Sequence, residues 1–141
     1  MASAASTTPF ASIAVQPPTK TRTDAKLYPP VVVKAKYPSG YLSAIAELVD
    51  SEGHVLDDQL GGKLNNEKGW EMHDAGGIST FFAFPDLVVH YEGEYTIRVK
   101  IVYTSTQGGV VLGEAITGSI KARGNETGRQ KPCKYIPVRY E

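Results

Sequence analysis

Cysteine is nearly absent from this 141-residue chain: Cys133 stands alone, so there is no intramolecular disulfide framework and no cysteine-only metal site. No apolar run approaches the roughly 18 residues of a membrane-spanning helix. Net charge is absent as well. Fifteen Lys and Arg balance fifteen Asp and Glu, which removes overall charge as an argument for nucleic-acid or membrane binding. No segment carries a helical period of useful length, and neither GxxxxGK[ST] nor GxGxxG occurs, so no phosphate-cradling loop is encoded. What remains is 41% hydrophobic and 21% charged, the composition of one globular domain long enough for a real core.

The charge balance hides a division. Residues 1–40 hold Lys20, Arg22, Lys26, Lys34 and Lys36 against Asp24 alone, a net of +4. Residues 41–100 hold eleven acids against four bases, a net of −7, and residues 101–141 return to +3. Both ends are basic and the middle is acidic, an asymmetry that can mark an electrostatic footprint. Met1 to Thr23 is rich in Ser, Thr and Ala and lacks any acid. That composition resembles an organellar transit peptide, the alternative being a Ser/Thr-rich tail ahead of the domain. The expected organisation is a disordered tail over 1–15 and a domain over 16–141, introduced by a basic extended arm at 16–30.

Order along the chain reads as strands. Pro17-Pro18 and Pro29-Pro30 bracket an extended stretch, since proline fixes φ and biases its predecessor away from helix. Folded structure is expected from about Tyr28, with Val31-Val32-Val33 as the first strand. Tyr41 to Asp50 is apolar, Leu42, Ala44, Ala46 and Leu48 alternating with Ser43, Ile45, Glu47 and Val49; its Ala-rich composition also allows a short helix, while the Ser51-Glu52-Gly53 turn and His54-Val55-Leu56 favour a hairpin. Residues 61–77 are polar and glycine-rich and read as a long loop with one short strand around Lys63 and Leu64. Thr80 to Phe84 and Leu87 to Tyr91 are strands parted by Pro85-Asp86. Tyr95 to Tyr103 is the clearest element, with Tyr95, Ile97, Val99, Ile101 and Tyr103 on one face. Val110 to Ile120 follows a Gln107-Gly108-Gly109 turn, and Tyr135-Ile136-Pro137-Val138 reads as a closing edge strand. Short strands with glycine turns predict an all-β sandwich of antiparallel strands with long loops.

Catalytic patterns find little support. Cys133 lies among Lys131, Pro132 and Lys134 with no base assigned to it by the sequence, and His73-Asp74 has no further ligand at a recognised metal spacing. Asp57 and Asp58 are adjacent, and on a strand adjacent side chains point to opposite faces. No enzyme, no cofactor, no metal and no small-molecule substrate is expected. Binding features are stronger: Lys20, Arg22 and Lys26 on an extended segment could track phosphates, and Arg123, Arg129, Lys131, Lys134 and Arg139 could add to that field.

Several segments, in order, resemble the velvet domain of fungal regulatory proteins. Gln16-Pro17 through Lys20-Thr21-Arg22 to Tyr28-Pro29-Pro30-Val31-Val32 resembles the opening of that family. Phe81-Phe82-Ala83-Phe84-Pro85-Asp86-Leu87-Val88-Val89, followed by Glu92-Gly93-Glu94-Tyr95-Thr96-Ile97-Arg98-Val99, is similar to its FFxFPDLSVxxEGxYxLRF signature. Tyr135-Ile136-Pro137-Val138-Arg139 resembles its closing segment, so the resemblance spans about residues 13–140. Departures are a shorter, less basic arm at Thr23-Asp24-Ala25-Lys26 and Ala122-Arg123-Gly124-Asn125 in place of a KKFPGM-like stretch. The resemblance implies an immunoglobulin-like, Rel-homology-like sandwich that binds double-stranded DNA. It implies a transcriptional regulator of sporulation and secondary metabolism, acting as a homo- or heterodimer with another velvet-domain protein. It implies the nucleus, with shuttling through the cytoplasm, and no membrane. The DNA-binding positions it carries over are Lys20, Arg22, Lys26 and Arg139. The alternative is a non-catalytic interaction module that pairs with another velvet-type subunit and binds DNA weakly by itself.

Overall fold

The computed structural model describes residues 10–37 and 40–124. Among them are twelve strands and no helix: β1 (Ala11–Val15), β2 (Lys20–Arg22), β3 (Val31–Ala35), β4 (Leu42–Asp50), β5 (Leu60–Gly61), β6 (Asn65–Asn66), β7 (Trp70–Asp74), β8 (Gly77–Phe84), β9 (Val88–Val89), β10 (Gly93–Ser105), β11 (Gly108–Ile116) and β12 (Ile120–Arg123).

Period-two alternation decides the central strand. On β10, Tyr95, Ile97, Val99 and Ile101 are buried, while Thr96, Arg98 and Lys100 turn to the other face. Its antiparallel partner β4 runs in unbroken register from Asp50 opposite Tyr95 to Leu42 opposite Tyr103. That register sets small Ala46 and Ala44 against Val99 and Ile101, so large and small side chains alternate across the pair. Along its other edge β10 pairs with β12 at Gly93–Tyr95 and with β11 from Arg98 onward, and β2 adds to β12 in parallel. The sheet order is therefore β2-β12-β10-β4-β6, with β11 beside β10.

A second sheet, β1-β3-β8-β7, buries Val31, Val33 and Ala35 of β3 with Phe82 and Phe84 of β8. The inner faces of both sheets join one hydrophobic cluster, an all-β arrangement consistent with a β-sandwich. Each Phe, Leu, Ile or Val enclosed there contributes about 1.5–3 kcal/mol through lost apolar exposure. The buried hydroxyl of Thr80 is satisfied by donating to the Tyr37 carbonyl at 2.7 Å.

Four sequence expectations change. The tail expected over 1–15 holds a strand: β1 pairs with β3, and Ala11 is buried beneath it. Folded structure thus begins well before Tyr28. Ser/Thr/Ala-rich composition around β1 concealed it, although Ala11 joins the core, Ile13 packs against it and β3 pairs along the strand. The basic arm at 16–30 is likewise part of the fold: Pro17 and Leu27 are buried, and β2 sits in a sheet. In the expected loop at 61–77, β6 joins β4, while Trp70–Asp74 pairs with β8, where Trp70 stacks on Phe81 at 5.7 Å and 17°. Strands flank Lys63 and Leu64 rather than containing them. Finally, the segment from Val110 to Ile120 is two strands. Thr117 interrupts it by accepting the Ile97 N–H on its hydroxyl at 2.9 Å and donating to the Gly118 carbonyl at 2.8 Å. The closing strand expected at Tyr135–Val138 lies outside the described residues.

Candidate nucleic-acid interface

Parallel pairing of β2 with β12 assembles a cationic patch from two distant parts of the chain. Lys20 lies beside Lys121 and Arg22 beside Arg123, with Thr21 beside Ala122 between them. In-register neighbours on parallel strands share a face, and alternate residues along a strand do too. Ala122 points to the core at 3% exposure, so the four cations stand on the opposite face, all of them exposed. Strand spacing makes the patch roughly 5 Å across and 7 Å along. None of the four has an ion-pair partner among the described residues.

The surroundings hold this patch rigidly. The Lys121 N–H donates to the Thr19 carbonyl and the Thr23 N–H to the Arg123 carbonyl, each at 2.8 Å, at the two ends of the pair. Gln16 accepts the Gly118 N–H on its side-chain oxygen at 3.0 Å, tying the incoming chain to the β11–β12 corner. On the β10 side, Glu94 lies opposite Lys121, its oxygen engaged by the Ser119 hydroxyl at 3.0 Å. The other side is the outer edge of β2, the last strand of the sheet. A polyanion approaching across β2 meets cations before acids, the arrangement that phosphate tracking requires.

Of the four positions expected to contact DNA, Lys20 and Arg22 come together here. Lys26 does not join them. The chain turns at Asp24, which holds φ at 63°, and Lys26 bridges to Val88 on a different part of the surface. Asp24 is fixed by its N–H to the Val89 carbonyl at 2.8 Å and by its carboxylate 2.7 Å from Nδ1 of His90. Arg139 lies outside the described residues. The sequence reading missed Lys121 and grouped Arg123 only with the distant C-terminal cations. The one available signal was the Ile120-Lys121-Ala122-Arg123 alternation, which shows that both cations share a face but not what lies beside them.

Other chemistry-bearing groups are dispersed. His54, His73 and His90 stand near carboxylates of Asp50 and Glu52, of Glu71, and of Asp24 respectively. Asp50, Glu52 and His54 converge within 4.8 Å in the exposed turn after β4. Asp50 accepts the backbone N–H groups of His54 and Glu52, each at 2.9 Å, and the bond from His54 is the leading cause that holds its carboxyl below the usual carboxylate range. Those bonds close the turn, which accounts for the cluster structurally. Cys133 lies outside the described residues. Compared with known proteins, the sequence matches no family model and no curated protein.

Proposed function

We propose that this chain is a velvet-type, DNA-binding transcriptional regulator, acting in the nucleus as a homo- or heterodimer in development, sporulation and secondary metabolism. The observation that carries the DNA-binding reading is the four-cation patch of Lys20, Arg22, Lys121 and Arg123 at a sheet edge, without an ion-pair partner among the described residues. Such a patch neutralises backbone phosphates without reading sequence. The finer fold in this proposal is immunoglobulin-like. Its support is the strand order: β1-β3-β8-β7 follows the A-B-E-D order of such sandwiches, and β4-β10-β11 follows C-F-G. The Tyr95 hydroxyl bonds back to carbonyls three and four residues upstream, as in a tyrosine corner.

Fluorescence anisotropy of the full chain on mixed duplex DNA, titrated at several salt concentrations, tests it. Saturable binding should weaken with salt and disappear when Lys20 and Arg22 are reversed to Glu in a chain that remains folded. Undiminished affinity in that variant removes the patch from the reading.

A second reading, a non-catalytic module that pairs with another velvet-type subunit, draws support from β11. Val110, Val111, Leu112 and Ile116 are exposed on this edge strand, whose only strand partner among the described residues is β10. Long apolar edges of this kind invite strand pairing. Sedimentation of the purified chain, alone and with a candidate subunit, tests it; Val111→Lys should dissociate the complex. A monomer under all conditions rules it out.

A further inference from the structure

One end of the sandwich is aromatic and uncharged. There Tyr37 follows β3, Tyr41 leads into β4, and Tyr103 stands on the inner face of β10. The Phe10 and Tyr37 rings meet at 5.9 Å with a tilt of 53°, and Tyr41 and Tyr103 meet edge to face at 6.2 Å and 83°. The two pairs are neighbours. Phe10 rests on Gly113, its ring 2.9 Å from where a Cβ would stand, and Gly113 lies opposite Ile101. Tyr103 is one step further along the same face of β10, roughly 7 Å away. Backbone bonds fix both pairs: the Lys36 N–H donates to the Phe10 carbonyl at 2.9 Å, and the Thr104 N–H to the Tyr41 carbonyl at 3.0 Å. These rings remain open to solvent. Tyr41 is 71% exposed, Val110 beside Tyr103 is 59% exposed and Tyr37 is 42% exposed. The phenol oxygens of Tyr37, Tyr41 and Tyr103 have no hydrogen-bond partner among the described residues. No charged residue occurs over 37–46 or 101–113, in a chain that is 21% charged.

Exposed rings that carry free hydroxyl donors, with no charge beside them, match a ligand of apolar rings and carbonyl acceptors. A proline-rich segment is such a ligand. Its extended helix has no internal hydrogen bonds, so its carbonyls stay available, and proline brings no N–H that would need an acceptor. Aromatic surfaces stack on pyrrolidine rings, and a tyrosine hydroxyl supplies the donor. We propose that this end of the sandwich docks a proline-rich, extended segment of a partner protein. Its rings lie against Tyr37, Tyr41 and Val110, and its carbonyls accept from the phenols. An uncharged surface gives phosphates and charged peptides nothing to pair with. The site is separate from the cationic patch, since β12 meets β10 at Gly93–Tyr95 and roughly 27 Å of strand runs from Tyr95 to Tyr103. It is separate as well from edge pairing by β11, which would engage backbone groups rather than the inner face.

The test titrates fluorescein-labelled decaproline with the full-length, ¹⁵N-labelled chain, using glycine–serine and threonine–valine decapeptides as controls. Decaproline should bind saturably and shift the amide resonances of Phe10, Tyr41, Tyr103 and Val110. Tyr41→Phe with Tyr103→Phe keeps both rings and should weaken binding about fivefold or more through the lost donors. Tyr41→Ser, at an exposed position outside the core, should abolish it. Val111, opposite Val102, belongs to the other face of β11, so Val111→Lys should leave the affinity unchanged. Equal affinity for either control peptide, undiminished binding in the double Phe variant, or loss of binding in Val111→Lys overturns the proposal. A dimer in sedimentation equilibrium that Tyr41→Ser dissociates would assign the surface to a second copy of this chain and overturn the partner assignment.

Discussion

Arg22 and Arg123 lie side by side on parallel strands, and the N–H of Thr23, the residue after Arg22, donates to the carbonyl of Arg123 at 2.8 Å. A hundred residues separate them in sequence, yet that bond and the register of β2 on β12 hold two guanidinium-bearing residues together without a carboxylate between them. Like charges set in register repel, and an anion bound across the pair would offset that cost.

The patch makes a quantitative prediction for DNA binding. If all four cations neutralise phosphates, the logarithm of affinity should fall with the logarithm of salt concentration at a slope of about −3.6 per protomer. Lys121→Gln should lower the slope by about 0.9. It should leave the thermal midpoint unchanged, because Lys121 is exposed and unpaired among the described residues. A slope equal to that of the unaltered protein would mean that β12 takes no part. Lys26→Gln, which removes a cation outside the patch, should change the slope least.

Tyr95 anchors the turn into β10 by donating to the carbonyls of Tyr91 and Glu92, each at 2.9 Å. Tyr95→Phe keeps the buried ring but orphans both carbonyls from this donor, and should cost about 1–2 kcal/mol in urea unfolding. Burial pushes the phenol above its ordinary value. A raised pKa favours the neutral form in the folded state. Its contribution is therefore complete below the unfolded value near 10 and is lost as pH rises through the folded one. Stability should decline in that alkaline window, and less steeply in the Phe variant. Parallel curves for the two proteins would contradict the assignment.

Gly62 holds φ at 101° directly beneath the Asp86 carbonyl, where an added Cβ would collide with backbone. The Asp86 side chain meanwhile accepts the Lys63 N–H at 3.1 Å, so neither segment has room to move aside. Gly62→Ala combines left-handed strain with overpacking and should destabilise by about 2–4 kcal/mol. A loss under about 1 kcal/mol would show that the Gly61–Lys63 turn relaxes freely.

Asp50 closes the turn after β4 through two backbone hydrogen bonds, led by that from His54. Its lowered pKa means that the carboxylate stabilises the folded chain above the unfolded value near 3.8. The contribution disappears as pH falls through the folded value. Asp50→Asn should therefore be less stable than the parent at neutral pH, and the two unfolding curves should converge in acid. A gap that persists undiminished would place the cost in geometry rather than charge.

Much of this fold was legible in the chain. Alternation on Tyr95–Tyr103 and Leu42–Asp50 identified two central strands because their inner faces are apolar, and burial is what period two reports. The same signal failed for β1 and β7. At β1 the alternation of Ala11, Ile13 and Val15 with Ser12 and Ala14 lay hidden in a Ser/Thr/Ala-rich, acid-free stretch that reads as a tail. Trp70-Glu71-Met72-His73 is too polar, and it is held by pairing to β8 and by the Trp70–Phe81 stack. Half of the cationic patch was legible for a similar reason: Lys20 and Arg22 stand out in an acid-poor stretch, whereas Lys121 reads as an ordinary exposed residue until β2 is laid beside it.

The sequence alone determined the all-β class, the location of the main core positions and the separation of basic ends from an acidic middle. These follow from local periodicity and composition, which each segment carries within itself. Tertiary structure decided which charges meet. Parallel pairing of residues 20–22 with 121–123 made one patch from two basic stretches, while the turn at Asp24 left Lys26 apart. It also closed segment 55–64 against β4, through backbone bonds from Ala46 to Leu64 and from Leu56 to Leu48. Register between distant strands depends on the packing of the whole core, so no local pattern in the chain could have specified either arrangement.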